Sequence, residues 1–240
     1  MSIKQHKPES AAIERQFDKI VCVYDKLNRI LSLGQDLHWR KKALADINLS
    51  GDIKALDLCA GTGDMALAVV NRYPQNVSSL VAVDFSHEML KVFQHKIRSL
   101  DASFNSHIVT INADALHLPF SPEHFDLITV AFGIRNLSHL EESLLEIRRV
   151  LKPEGRLSIV ELGKVSTPLV YPFWWFYINY FITGIGALLS MTQEYAYLSK
   201  SIQHFPPPAI VADMLSHAGF VNIQHRRSLF GSVNYFISQK

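Results

Sequence analysis

Apolar residues near the start of the chain recur in steps of three and four, which is the spacing of an amphipathic helix. The stripe runs from Ile13 to Leu31, and Gly34 is expected to end it. A second helix is expected from Leu37 to Leu44. Residues 1–48 are therefore predicted to form a helical arm ahead of the main fold.

From residue 53 onward, short apolar runs alternate with helical stretches. Ser86 precedes one of these stretches as an N-cap residue would, and residues 152–155 are expected to form a turn. Strands that alternate with helices indicate a parallel sheet with helices on both faces. The predicted strands of this part are 53–60, 80–84, 108–112, 125–132 and 156–161.

The remainder of the chain holds an apolar segment and then two further strands, at 220–223 and 234–238, with a helix near 209–218 before them. We predict a single domain over residues 1–240. Its fold class is α/β, with a doubly wound, mostly parallel, seven-stranded sheet, the arm at 1–48 and an apolar insert at 165–206.

Composition fits a globular protein of 240 residues, because 48% of them are hydrophobic and can fill a three-layer core. The formal net charge of +2 gives no indication of nucleic-acid binding. Two cysteines, Cys22 and Cys59, are too few for a disulfide framework or a Cys-rich metal site, so we expect two buried thiols and no metal. The first ten residues lack the apolar core of a signal peptide, and a cytoplasmic location is expected.

A glycine-rich turn, Gly61-Thr62-Gly63, follows the first strand and opens a helix. Glycine lets the backbone approach a ligand closely, and the start of a helix offers free N–H groups. Asp84 ends the next strand, where a carboxylate can accept hydrogen bonds from both hydroxyls of a ribose. The pattern predicts a nucleotide-containing cofactor.

Two cofactors fit this pattern, and a turn that merely links strand to helix is a third interpretation. Residues 61–66 match the G-x-G-x-x-G/A sequence of nicotinamide dehydrogenases. S-adenosylmethionine is favoured by Asp57, which could organise its cationic end, and by Asp114 and Ala115 after the third strand, placed to meet its adenine. The Tyr-x-x-x-Lys pair expected of a short-chain dehydrogenase occurs nowhere in the sequence.

These motifs, at residues 57–64, 83–90 and 118–126, resemble those of class I S-adenosylmethionine-dependent methyltransferases. Four further stretches resemble the quinone-ring C-methyltransferases of menaquinone and ubiquinone biosynthesis, and the resemblance covers roughly residues 15–240. They are residues 24–41, 132–136, 149–153 and 195–206.

The resemblance implies an enzyme that uses S-adenosylmethionine to methylate a ring carbon of a demethylated isoprenoid quinol, with demethylmenaquinol preferred. A benzoquinol of the ubiquinone pathway, or a non-catalytic scaffold that binds the nucleotide, are the alternatives. Cys59 and Ala131 depart from the usual pattern, and a cofactor contact that some relatives make with a Ser is not expected at Ala131. The predicted cofactor-binding residues are Asp57, Gly61, Thr62, Gly63, Asp84, Asp114 and Ala115.

The chemistry is expected at Arg135 and Asn136, because open sheets bind substrates at the carboxyl ends of their strands. A quinol carbon becomes nucleophilic when the neighbouring phenol, with a pKa of about 10, loses its proton. Arg135 is expected to stabilise that phenolate, and a water or His139 to carry the proton. An ion pair that holds the loop is the alternative role for Arg135.

The apolar insert predicts how a lipophilic quinol is reached. Pro168, Pro172, Asn179 and two glycines interrupt it, so we do not expect it to span a membrane. Its aromatic residues are typical of a membrane interface, which predicts reversible peripheral contact with lipid. Those residues are Trp174, Trp175, Phe176, Tyr177, Tyr180 and Phe181.

Overall fold

The computed structural model describes residues 10–99, 107–165, 167–188 and 191–240. Residues 1–9 of the predicted arm and residues 166, 189 and 190 of the predicted insert lie outside the described residues.

The strands lie where the apolar runs predicted them, with bounds that shift by a few residues. The strand predicted at 220–223 is longer than expected. The strands are β1 Ile53–Leu58, β2 Val77–Asp84, β3 Ile108–Asn112, β4 Phe125–Ala131, β5 Leu151–Leu162, β6 Val221–Ser228 and β7 Val233–Gln239.

Ten α-helices are found in the described part of the chain, together with a π-helical turn at Tyr177–Phe181 and 3₁₀ turns at Ile134–Asn136 and Leu229–Gly231. The α-helices are α1 Ser10–Ile20, α2 Tyr24–Leu31, α3 Gln35–Leu44, α4 Asp64–Arg72, α5 His87–Arg98, α6 Leu140–Val150, α7 Tyr171–Phe176, α8 Ile182–Leu188, α9 Thr192–His204 and α10 Pro208–His217.

The strands form one sheet in the order β3-β2-β1-β4-β5-β7-β6. Strands β1 to β5 pair in parallel, and β7 is antiparallel to both β5 and β6. The doubly wound, mostly parallel, seven-stranded fold is confirmed. Because β1 to β5 are parallel, their carboxyl ends lie at one edge of the sheet. The strand order reverses between β1 and β4, which opens a crevice at that edge.

Helices cover both faces of the sheet, as the apolar strands require. Leu144 of α6 and Leu215 of α10 are buried on one face. Leu44 of α3, Val69 of α4 and Phe93 of α5 are buried on the other. Each such side chain contributes about 1.5–3 kcal/mol through its removal from water, so the two faces together fix the sheet that carries the site.

The arm departs from its prediction, because the single helix expected from Ile13 to Leu31 is two helices. The chain turns after α1, where the N–H of Val23 donates to the carbonyl of Ile20 at 3.0 Å. Residues 21–23 include two valines, and β-branched side chains lose rotamer freedom in a helix. The break separates α1 from α2, and Gly34 separates α2 from α3 as predicted.

The insert packs against the arm and builds a third apolar cluster with it. Trp174 and Ile178 of the insert are buried there with Leu27 of α2 and Ile202 of α9. No helix among the described residues has both the length and the apolar character needed to cross a bilayer.

Two local predictions are wrong. The turn expected at 152–155 lies inside β5 as a bulge, since pairing with β4 jumps from Leu151 to Arg156. The bulge accommodates Glu154 in a left-handed conformation. Cys22, expected to be buried, is exposed because it lies in the break between α1 and α2, whereas Cys59 is half-buried.

We expect Gly63→Ala to destabilise the protein more than Gly61→Ala. Both glycines have positive φ, at +86° and +55°, so alanine costs about 1–2 kcal/mol at either position. A Cβ at Gly63 would also lie 1.9 Å from the ring of Phe93, whereas one at Gly61 would meet no described atom within 4 Å. The extra overpacking costs about 1–3 kcal/mol.

Thermal unfolding of the ligand-free protein measures the difference. A Tm loss of about 3–6 °C is expected for Gly61→Ala and about twice that for Gly63→Ala, at about 2–4 °C per kcal/mol for a chain of this size. Equal losses would show that Phe93 moves aside without cost.

Candidate functional site

A cleft opens at the carboxyl edge of the sheet, between the loops that follow β1 to β4. Phe17 and Tyr24 of the arm close one side of it, and Phe85, Met89 and Leu116 supply apolar walls. The predicted residues that line this cleft are Gly61, Asp84, Asp114, Ala115 and Asn136.

Asp84 is held at the base of this cleft by two backbone donors. Its Oδ2 accepts from the N–H of Gly61 at 2.7 Å, and its Oδ1 accepts from the N–H of Ser86 at 2.8 Å. Burial raises the pKa of this carboxyl to about 6. Each oxygen keeps a lone pair for a further donor, so the carboxylate is positioned to receive two ligand hydroxyls.

Asp57 lies beneath the cleft and does not line it. Its Oδ1 accepts from the hydroxyl of Thr129 at 2.8 Å, and burial raises its pKa to about 7. Ser86, the predicted N-cap, accepts from the N–H of Met89. The first contact joins β1 to β4, and the second caps the start of α5.

Thr62 and Gly63 are not brought into the cleft either. The Thr62 hydroxyl donates to Asp25 of α2 at 2.6 Å, and Gly63 packs against Phe93. Asp114 is exposed at the cleft, where its Oδ1 accepts from the N–H of Leu116 at 3.0 Å.

Charged side chains bind the arm to these loops. Lys96 of α5 contacts Asp25 at 2.6 Å and Asp64 at 3.0 Å, and Arg29 of α2 donates to Asp64 at 2.7 Å. Although burial opposes it, the hydrogen bond from Arg29 holds the pKa of Asp64 below its usual value. Asp18 of α1 also accepts from the hydroxyl of Ser86, and α1 and α2 are thereby held over the cleft.

The residues present fit S-adenosylmethionine. The backbone at Gly61 faces open space, because no atom of the described residues lies within 4 Å of a Cβ built there. Asp84 and Asp114 offer acceptors at neighbouring strand ends, where ribose and adenine could bind. The apolar walls described above suit an adenine ring. Such a cofactor would supply a methyl group on a cationic sulfur.

A second, larger cavity of about 370 Å³ lies on the other side of Tyr24, between the arm, the insert and the turn before β7. That volume is in the range of small-molecule sites. Phe132 borders both the cleft and the cavity, with φ of +59°, a strained conformation of the kind found at functional sites. Apolar residues dominate the wall: Leu31, Trp39, Leu162, Trp174, Ile178, Ile182, Leu198 and Ile202.

Arg135 lines this cavity and forms a buried ion pair with Glu161. Its Nη1 lies 2.5 Å from Glu161 Oε1 and 2.6 Å from the carbonyl oxygen of Phe132. Its backbone N–H donates to Glu161 Oε2 at 3.2 Å. The ion pair considered as an alternative from sequence is therefore present, and it orients a guanidinium at the cavity wall.

The charge of Arg135 is secure in spite of its burial. Burial disfavours the cation, but the carboxylate of Glu161 outweighs that effect and raises the pKa of Arg135 above its usual value. Arg135 is thus a permanent cation and cannot accept a proton. Sequence reasoning did not predict a role for Glu161. Its position as the single acid at the end of an apolar strand could have indicated a buried partner for a cation.

The other predicted chemical groups differ in position. Asn136 lines the cleft, and its Oδ1 accepts from the hydroxyl of Tyr197 at 3.0 Å. His139 is exposed at the start of α6 and lines neither space. Tyr24 borders both, and burial raises the pKa of its phenol.

Comparison with known proteins gives a consistent result. The model of the ubiE/COQ5 methyltransferase family matches residues 3–240. A demethylmenaquinone methyltransferase of Lactiplantibacillus plantarum is 38% identical over 92% of this chain and 92% of its own length. A ubiquinone/menaquinone biosynthesis C-methyltransferase UbiE of Geotalea daltonii is 36% identical over 95% of this chain and 96% of its own length.

The fold is also found among solved structures. A SAM dependent methyltransferase from Aquifex aeolicus superimposes with a TM-score of 0.59 at 18% identity, over 90% of this chain and 97% of that one. At this identity the likeness concerns the fold alone.

We expect the affinity for S-adenosylmethionine to depend on the ionisation of Asp84. The charged carboxylate is the better acceptor for ribose hydroxyls, and protons compete with it below a pKa of about 6. At pH 5 only about a tenth of Asp84 is ionised, so binding should be about 10-fold weaker than at pH 7.5.

Calorimetry on native protein and Asp84→Asn tests this. The variant should bind weakly at both pH values, with no pH dependence. Asp126→Asn, at the opposite end of the sheet, should keep the native profile. If the affinity of Asp84→Asn for S-adenosylmethionine still depends on pH, the titrating group is another residue.

Proposed function

Because the chain belongs to the ubiE/COQ5 methyltransferase family, we propose that it transfers a methyl group from S-adenosylmethionine to a ring carbon of a demethylated isoprenoid quinol. The observation that carries the proposal is the apolar cavity beside the cofactor cleft, with the buried cation of Arg135 in its wall. Demethylmenaquinol is the proposed substrate, since one relative described above is named for it.

The cavity suits both parts of such a substrate. Its apolar wall would hold the fused ring and the start of the isoprenoid tail, and Arg135 would meet a ring oxygen. A hydrogen bond from this charged guanidinium would offset the loss of water when the ring oxygen enters the cavity.

The reaction needs alignment more than it needs a strong base. The cofactor supplies an electrophilic methyl group, and the chain must place the ring carbon in line with it and exclude water. Arg135 lowers the free energy of the phenolate and so makes the neighbouring carbon nucleophilic. Tyr24 and Phe132 line both the cleft and the cavity, and they would shield the reacting atoms from water.

A methyl-transfer assay tests the proposal against its alternatives. Purified protein is given labelled S-adenosylmethionine and either a demethylated naphthoquinol or the matching benzoquinol with the same tail. We expect label in the naphthoquinol, with kcat/KM at least about 10-fold higher than for the benzoquinol. The reverse preference would favour the ubiquinone pathway. No label in either, with the cofactor bound, would favour a scaffold.

We also propose that the insert contacts membranes reversibly, because the substrate is lipophilic. Exposed apolar side chains lie on its outer surface: Leu169, Phe173, Phe176, Tyr180 and Leu188. The sequence-based list needs two corrections. Trp174 faces inward and is only 8% exposed, and Tyr177 lines the cavity, where its hydroxyl donates to the carbonyl of Leu31.

We expect Arg135→Lys to lose turnover while keeping cofactor affinity. Lysine retains the charge but not the fork that binds Glu161, Phe132 and a substrate oxygen together. Loss of one such donor lowers kcat by about 100-fold. The affinity for S-adenosylmethionine should change less than about 3-fold, because Arg135 does not line the cleft.

Arg226→Lys is the matched control, since Arg226 is an exposed partner of Asp46, and its turnover should stay native. Native turnover in Arg135→Lys would remove Arg135 from the mechanism. If Arg135→Lys fails to fold, Arg135 is assigned only the structural role of its ion pair with Glu161.

We expect Phe173→Ser/Phe176→Ser to weaken liposome binding by about 10-fold or more, since each phenyl ring contributes about 1.5–3 kcal/mol when it leaves water. Co-sedimentation with vesicles measures the change. Leu145→Ser/Ile210→Ser removes exposed apolar side chains of α6 and α10 instead and should bind as native. Equal binding by all three proteins would remove the insert from the membrane contact.

A further inference from the structure

A second buried guanidinium, that of Arg40, lines the same cavity from α3 of the arm. Arg40 is 5% exposed, and its Nη1 donates to the carboxylate and the backbone carbonyl of Asp36, at 3.0 Å each. Its Cζ lies 4.9 Å from the centre of the Phe132 ring. Its Nε–H is buried and has no hydrogen-bond partner among the residues that the structure describes.

Arg40 and Arg135 share three features. Each contacts Phe132, Arg40 over the ring and Arg135 at the backbone carbonyl. Each is balanced by one carboxylate, Asp36 or Glu161. Each has a buried Nε–H with no acceptor among the described residues. Two guanidinium groups in one apolar wall offer donors to a ligand that carries two oxygen atoms.

A quinol has the oxygen atoms that this arrangement lacks. Its two ring oxygens lie on opposite carbons of one ring, and methylation of a ring carbon involves only the oxygen next to that carbon. The other oxygen must still leave water when the ring enters the cavity, which is unfavourable without a new partner.

We propose that Arg40 binds this second oxygen and is a specificity-determining residue that selects dihydroxy over monohydroxy aromatic rings. The inference rests on the proposed function, in which Arg135 holds the oxygen next to the methylated carbon. Arg40 then fixes the ring from its opposite side, so that only one ring carbon faces the cofactor cleft across Phe132.

A purely structural role makes a different prediction. Arg40 also connects α3 to Asp36 and covers Phe132, and its loss could simply loosen the cavity wall. Such loosening would weaken every aromatic ligand alike, whereas the proposed contact concerns only ligands that carry the second oxygen.

The test compares two ligands with the same short prenyl tail, a naphthalene-1,4-diol and the naphthalen-1-ol that keeps only the oxygen next to the methylated carbon. Binding is measured without cofactor, under anaerobic conditions, by quenching of intrinsic fluorescence, since Trp39 and Trp174 line the cavity. Native protein should bind the diol about 10-fold or more tightly than the mono-ol.

Arg40→Met, which keeps an unbranched apolar stem, should lose about 10-fold in affinity for the diol and less than about 2-fold for the mono-ol. Asp36→Asn weakens the ion pair but leaves the guanidinium of Arg40 in the cavity wall, so its preference for the diol should persist. Arg40→Lys keeps a charge beside Asp36 and should lose most of the preference for the diol over the mono-ol. If Arg40→Met does not fold, the two affinities are compared in Arg40→Lys instead.

Equal affinity of native protein for both ligands, or equal losses for both in Arg40→Met, would overturn the proposal. Failure of the proposed function is distinguishable, because it appears as absent methyl transfer to the diol in native protein, whatever the binding ratio.

Discussion

Acidic side chains are buried at the C-terminal ends of the parallel strands, and their burial constrains the loops that form the site. Asp57, Asp84 and Glu161 lie at or near the ends of β1, β2 and β5 and are almost wholly removed from water. A buried charge is unfavourable unless donors surround it, and each acid meets that demand differently. Asp84 uses loop N–H groups, Glu161 uses Arg135, and Asp57 has a pKa raised to about 7. The conformations of the loops around the site follow from these requirements.

The same requirement explains the arrangement of the arm. Asp36 and Asp64 are also largely buried, and the cations that balance them, Arg29 and Arg40, come from α2 and α3. The arm is therefore attached by charge as well as by its apolar stripe. Ion pairs of this kind bring directional contacts, so α2 holds Tyr24 at the boundary between the cofactor cleft and the cavity.

Sequence reasoning recovered the sheet because buried parallel strands are nearly continuous apolar runs, and β3 was placed at 108–112 without error. It placed Asp84 correctly because Asp84 closes an apolar run and therefore lies at the carboxyl end of β2. It could not place Trp174, whose burial depends on contacts with α2 and α9, far away along the chain. Sequence reasoning included Arg40 only as part of a motif. Arg40 contacts the ring of Phe132, which lies 92 positions later in the chain, and a local sequence pattern cannot predict such a contact.

The position of β7 affects how the molecule must assemble. It is the last of the seven strands along the chain, yet it lies between β5 and β6 inside the sheet. During synthesis, β1 to β5 emerge first and leave the outer edge of β5 unpaired until β7 arrives. An unpaired strand edge invites pairing with other chains, so the nascent protein is open to misassembly in that interval. Val233 of β7 also lines the cavity, so the wall of the cavity stays incomplete until β7 has paired.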